Sequence, residues 1–195
     1  MQETPLIAIL RGITTPEIPE ICDALYSAGI KLLEIPLNSP DACRSIAAAV
    51  KHCQDRQMVG AGTVLSVEDV NNVHAAGGKF IISPNTDAEV IKETKRLGML
   101  SIPGFFTASE AFAGQKAGAD YLKLFPAILG PTYIKDLKAV VKTPILAVGG
   151  VNLQNLPQFI DVCAGAGIGS ALYKPGKTAA NIAADAQAMV EAVKR

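Results

Sequence analysis

Tryptophan is missing from this chain, histidine occurs twice, and charged residues make up 18% of its 195 positions. Basic and acidic residues number 18 each, and neither kind gathers into a block or interleaves with aromatics. Nucleic-acid binding therefore has no electrostatic support. No apolar run approaches the ~18 residues of a membrane-spanning helix, so no membrane partner is expected. The opening Met1-Gln2-Glu3-Thr4-Pro5 has neither the basic start nor the long apolar stretch of a signal peptide, which points to the cytoplasm. Cys22, Cys43, Cys53 and Cys163 form no CxxC pair and all fall in segments read as helical. They read as buried apolar residues, not as metal ligands or a redox pair. His52 and His74 also fall on helical segments away from the strand ends, and Asp and Glu do not cluster at those ends either, so no metal is expected.

What the chain does have is apolar substance, 49% of its residues. A chain of this length fits one domain, here 1–195, and should bury about 70% of its unfolded surface without disulfide or metal staples. Strand-like apolar runs recur at Leu6–Leu10, Leu32–Ile35, Met58–Ala61, Phe80–Ser83, Leu100–Ile102, Tyr121–Phe125, Ile145–Val148 and Ala164–Ile168. Segments with helical spacing lie between them, at Glu17–Ala28, Pro40–Cys53, Val67–Ala76, Ala88–Leu97, Ser109–Ala117, Thr132–Val141, Asn155–Val162 and Ala179–Val193. Gly29, Gly77-Gly78, Gly98 and Gly118 stand where helices end, and Thr15, Ser66 and Thr107 where helices begin. Strict alternation predicts a parallel sheet, and eight units predict an α/β fold closed as a (β/α)8 TIM barrel. An open doubly wound sheet is the alternative, but no GxGxxG follows the first strand.

In such barrels the chemistry sits where strands end. Lys123 lies in Tyr121-Leu122-Lys123-Leu124-Phe125-Pro126, and alternation puts Tyr121, Lys123 and Phe125 on one face. Burying an unpartnered ammonium costs on the order of several kcal/mol. A lysine that sheds its proton escapes the cost and becomes a nucleophile towards carbonyls. Glu34, in Leu32-Leu33-Glu34-Ile35-Pro36, should face the same mouth, and a carboxylate beside an amine can relay protons. Pro84 and Phe125 occupy further strand ends. Gly149-Gly150 and Gly169-Ser170, after the last two strands, read as a phosphate cradle, aided by a helix start near Ser170. Arg11 and Thr63 can hold a second anion, since arginine grips a carboxylate through two N–H groups.

These residues resemble a family. "PLIAILRGIT", "EIPLNSP", "VGAGTVL", "SPN", "PGFFTASEAF", "AGADYLKLFPA", "GPTYIKDLKAV", "AVGGVNLQNL" and "AGAGIGSALY" are similar to the short class I aldolases of 2-keto-3-deoxy-6-phospho sugar acids. The match spans nearly the whole chain. "ILRGIT" and "EIPLNSP" resemble the branch acting on 2-dehydro-3-deoxy-6-phosphogalactonate. The branch acting on the 6-phosphogluconate epimer typically carries arginine where Asn38 stands, which leaves Arg11 as the carboxylate anchor and the only other cation among the strand ends. The resemblance implies Lys123 as Schiff-base lysine, Glu34 as proton relay, Thr63 at the pyruvate end, and Gly150 and Ser170 at the phosphate or hydroxyl end. It implies pyruvate and D-glyceraldehyde 3-phosphate as products, a homotrimer, and no metal or organic cofactor. Alternatives are a 6-phosphogluconate or 4-hydroxy-2-oxoglutarate aldolase, a phosphosugar isomerase or epimerase on the same barrel, and a barrel that senses a phosphosugar without turning it over.

Overall fold

The computed structural model describes residues 6–194; the opening segment read above against a signal peptide lies outside them. Nine strands run in chain order: β1 Leu6–Ile9, β2 Leu32–Pro36, β3 Met58–Gly62, β4 Phe80–Ile82, β5 Leu100–Ile102, β6 Gly104–Phe105, β7 Leu122–Leu124, β8 Ile145–Val148 and β9 Gly165–Ile168. All pairings are parallel, in the order β5-β4-β3-β2-β1-β9-β8-β7-β6. The two ends of that order, β5 and β6, are one run of chain interrupted at Pro103. Proline has no N–H to give a ladder, so the stave breaks there. Its first half pairs with β4 and its second with β7. The nine segments are thus the eight staves of the expected (β/α)8 barrel, with the fifth cut in two.

The helices are α1 Ile18–Ser27, α2 Ala42–Cys53, α3 Val67–Ala75, α4 Ala88–Arg96, α5 Ala108–Ala117, α6 Gly130–Leu137, α7 Leu156–Ile160 and α8 Ala179–Val193. Ser66 with Asp69 and Thr107 with Glu110 form reciprocal caps at two of the expected starts. At α1 the cap falls on Thr14, not Thr15, because a short 3-10 turn, Thr15–Glu17, precedes the helix. α6 and α7 are shorter than their periodicity suggests. Cys163 reads as helical from the sequence, although the expected segment stops at Val162; it lies past the end of α7, half-buried, where burial pushes its thiol up to about 12. The other three cysteines sit within helices as expected. Among the described residues, no helix is long and apolar enough to cross a membrane.

Two layers of packing follow from strand alternation. Leu6, Ala8, Leu33, Ile35, Leu122 and Leu124 point outward into the large core beneath the helices. Ile7, Phe80, Ile82, Ile102 and Leu146 point inward, with Leu32, Leu100 and Tyr121 against them. The inner cluster plugs the end of the barrel where the strands begin. One step further along β2 and β7, the inward positions pass from apolar to chemical: Leu32 to Glu34, and Tyr121 to Lys123.

Candidate active site

Those inward positions open into a cavity of about 750 Å³ at the carboxyl ends of the strands. Every site residue expected from sequence lines it: Arg11, Glu34, Thr63, Pro84, Lys123, Phe125, Gly149, Gly150, Gly169 and Ser170. Lys123 is the middle residue of β7 and only 6% exposed. Its backbone is fixed by a bond from its N–H to the Pro103 carbonyl, 2.8 Å long. The Nζ stands 4.7 Å from the centre of the Phe125 ring, a cation–π contact at the rim. Burial pushes the amine below the ordinary lysine range; the Glu34 carboxylate opposes that shift and the Arg11 charge adds to it.

Glu34 is 3% exposed. Burial holds its carboxyl above the usual carboxylate range, while the charges of Lys123 and Arg11 pull it down. Amine and carboxylate act on each other through space rather than through a hydrogen bond. Each is biased towards its neutral form, the state from which an amine attacks and a carboxyl donates.

The space for Glu34 comes from the neighbouring strand. A Cβ on Gly62 would lie 1.7 Å from Glu34 Oε1 and 2.4 Å from its carboxyl carbon. Any side chain at 62 would therefore evict the carboxylate. The next residue, Thr63, holds φ +58°, a left-handed conformation unusual for a β-branched residue and a local strain of about 1–3 kcal/mol. That turn places Thr63 on the cavity wall.

On the opposite side the loops after β8 and β9 form the glycine cradle. Gly149 and Gly150 hold φ +90° and +79°. A Cβ on Gly149 would press on Pro126 at 3.1 Å. Asn155 Nδ2 donates to the Gly150 carbonyl at 2.9 Å and ties the loop to the start of α7. The helix expected near Ser170 is not there. A single turn forms, with the Leu172 and Tyr173 N–H groups both donating to the Gly169 carbonyl. Pro175, which disfavours helix at the residue before it, and Gly176 at φ +82° stop its growth, and α8 begins only after the Thr178 cap. Any anion here meets the free N–H groups of one turn rather than the end of a full helix dipole.

Lys174, Tyr173 and Asn152 also line the cavity. Sequence reasoning missed them because they lie in stretches without periodicity, past the strand ends. Lys174 is a further cation on this cavity, beyond the strand ends where Arg11 stood alone beside Lys123. The Tyr173 hydroxyl is buried without a hydrogen-bond partner, and burial pushes it up to about 12. Among the described residues, no three His, Cys, Asp or Glu side chains gather at metal-binding distance.

Gly62→Ala tests the slot. The inserted methyl displaces Glu34, so kcat falls about 10²–10⁴-fold, the usual worth of a positioned acid–base group, and stability drops by about 1–3 kcal/mol from overpacking. Steady-state kinetics and thermal melts check both; a kcat within threefold of the parent means the glycine does not hold the carboxylate in place.

Residues 1–190 match the family described as KDPG and KHG aldolase. A 2-dehydro-3-deoxy-6-phosphogalactonate aldolase of Escherichia coli K12 is 48% identical over 96% of this chain and 94% of its own length. A solved structure described as native KDPGal superposes with a TM-score of 0.95 at 46% identity, covering 98% of this chain and 95% of that one. A KDPG aldolase of Legionella pneumophila, holding pyruvate captured as a covalent carbinolamine, superposes at 0.84 with 26% identity over 98% of this chain and 93% of that one. These relatives are named aldolases, which are carbon–carbon lyases, and the chain belongs to the KDPG and KHG aldolase family.

Proposed function

We propose that this protein is a Schiff-base aldolase that cleaves 2-dehydro-3-deoxy-6-phospho-D-galactonate to pyruvate and D-glyceraldehyde 3-phosphate. The observation that carries the reading is the pair of inward, buried groups, Lys123 and Glu34, in one cavity whose far wall is a glycine cradle. The Lys123 amine adds to the C2 ketone, giving a carbinolamine that loses water to an iminium. Glu34 gives its proton to the departing hydroxyl and, now a carboxylate, takes the C4 hydroxyl proton directly or through a water. The C3–C4 electron pair then moves towards the iminium nitrogen, leaving an enamine on Lys123 and releasing the aldehyde. Protonation at C3 and hydrolysis of the imine free pyruvate and restore the amine. Arg11 and Thr63 take the carboxylate end, Gly149, Gly150, Gly169 and Ser170 the phosphate end, and Pro84 and Phe125 wall the space between. The galactonate preference is supported by the 48%-identical relative and by Asn38 at the position where the gluconate branch typically carries arginine.

Borohydride reduction in the presence of pyruvate should fix a covalent adduct on Lys123, and Lys123→Arg should show neither adduct nor turnover. An isomerase, epimerase or sensor gains no adduct. A coupled assay comparing the two C4 epimers should favour the galactonate substrate; equal or reversed kcat/KM removes that assignment.

The pH dependence follows from the amine. Its folded-state pKa is depressed, so the nucleophilic free base is present above a point lower than the ordinary 10.5. Trapping rate against pH should rise through a midpoint below 10.5, and a midpoint at or above that value contradicts a desolvated amine.

We also propose a homotrimer. The loops after β6, β7 and β8 expose Phe106, Ile128, Leu129 and Leu153, with Ile128 73% exposed. Three adjacent loops with large apolar side chains suit a subunit contact. Light scattering should give a trimer for the parent and a smaller species for Ile128→Asp; a monomeric parent ends the idea.

A further inference from the structure

We infer that Asn38 is a positioning residue: it holds the Arg11 guanidinium in the pose that receives the substrate carboxylate, without cancelling the arginine charge. The inference rests on the reading of Arg11 as the carboxylate anchor. Arg11 is an exposed side chain just past β1, and left alone it would sample many rotamers. It does not stand alone, because one terminal nitrogen, Nη1, donates to Asn38 Oδ1 at 2.6 Å across 27 residues of sequence.

The adjacent residues repeat the tie. The Gly12 N–H donates to Ser39 Oγ at 2.9 Å. Asn38 and Ser39 belong to a turn closed by the bond from the Ser39 N–H to the Pro36 carbonyl, and the Leu37 N–H is fastened to the Gly62 carbonyl at the end of β3. On its other side Gly12 packs so closely on Pro175 that a Cβ would come within 2.9 Å of it. The Arg11 backbone is thus clamped between two loops, and Asn38 fixes the head of the side chain. The turn that does so continues directly from β2, the strand that carries Glu34. One rigid piece of chain sets both the proton relay and the anchor.

The neutrality of the partner matters as much as its reach. Guanidinium has five donors in a planar fork, so one can serve Asn38 while others face a carboxylate. An acidic residue at 38 would form an ion pair with Arg11, compete with the substrate carboxylate, and offset the positive charge that favours the neutral amine on Lys123. A basic residue offers no acceptor. An amide accepts the bond and leaves the charge in force.

The test is steady-state cleavage of the galactonate substrate by Asn38→Ala, Asn38→Asp, Arg11→Ala and the double variant Arg11→Ala/Asn38→Ala. Asn38 is exposed, so these variants should fold, with melting temperatures confirming it. Asn38→Ala should raise KM about tenfold, part of what a bond to a charged group is worth, and leave kcat within about threefold. Asn38→Asp should raise KM more than Asn38→Ala does, although it keeps the acceptor oxygen. In the Arg11→Ala background, Asn38→Ala should change KM no further, the mark of one residue acting through another. An unchanged KM in Asn38→Ala, an equal penalty in both backgrounds, or a parent-like KM in Asn38→Asp overturns the inference. Pyruvate trapping on the parent protein separates the two levels: no adduct defeats the aldolase reading itself, whereas an adduct together with any of those three outcomes defeats only the role of Asn38.

Discussion

A lysine amine and a glutamate carboxyl share the mouth of this barrel, nearly out of solvent, with no hydrogen bond between them. Much of the site can be understood from that arrangement. A direct ion pair would satisfy both groups and keep both charged. Held apart in a low-dielectric cavity, the amine and the carboxyl are each driven towards neutrality while remaining close enough to sense each other's proton. Arg11 adds a third charge, which favours the free amine on Lys123 but opposes protonation of Glu34. The result is a nucleophile and a proton carrier that a substrate, not a partner side chain, completes.

The arrangement depends on room inside a small barrel. Eight staves close so tightly that inward side chains on neighbouring strands compete for the same volume. β3 resolves the competition with glycine: Gly60 gives its space to the Phe80 ring and Gly62 to the Glu34 carboxyl. β9 behaves likewise at Gly167, where a Cβ would press on Val148 and Ile9. The Phe80 plug seals the barrel where the strands begin, and the glycine above it admits the chemistry. Packing and function are therefore one constraint read at two heights.

Much of this was legible in the chain. Leu122, Lys123 and Leu124 show the alternation that puts the amine inside, and Leu32, Leu33 and Glu34 do the same for the carboxyl. Gly29, Gly77, Gly98 and Gly118 all adopt the positive φ that closes a helix end. Other features were not legible, for local reasons. The cut at Pro103 depends on which neighbour each half of the stave meets. The missing helix near Ser170 depends on Pro175 and Gly176 arriving before a second turn can form, although both stand in plain sight in the sequence.

What the sequence determined by itself was periodicity: which faces are apolar, where strands alternate with helices, and which residue types end up at strand ends. Periodicity is a property of neighbours along the chain, so it survives in one dimension. The tertiary structure alone decided proximity between residues far apart in sequence. It set Gly62 under Glu34, Asn38 against Arg11 across 27 positions, and Lys174 and Tyr173 on the cavity wall. No local pattern encodes those contacts. They arise because a closed parallel barrel brings every strand end to one rim, where spacing across the sheet replaces spacing along the chain.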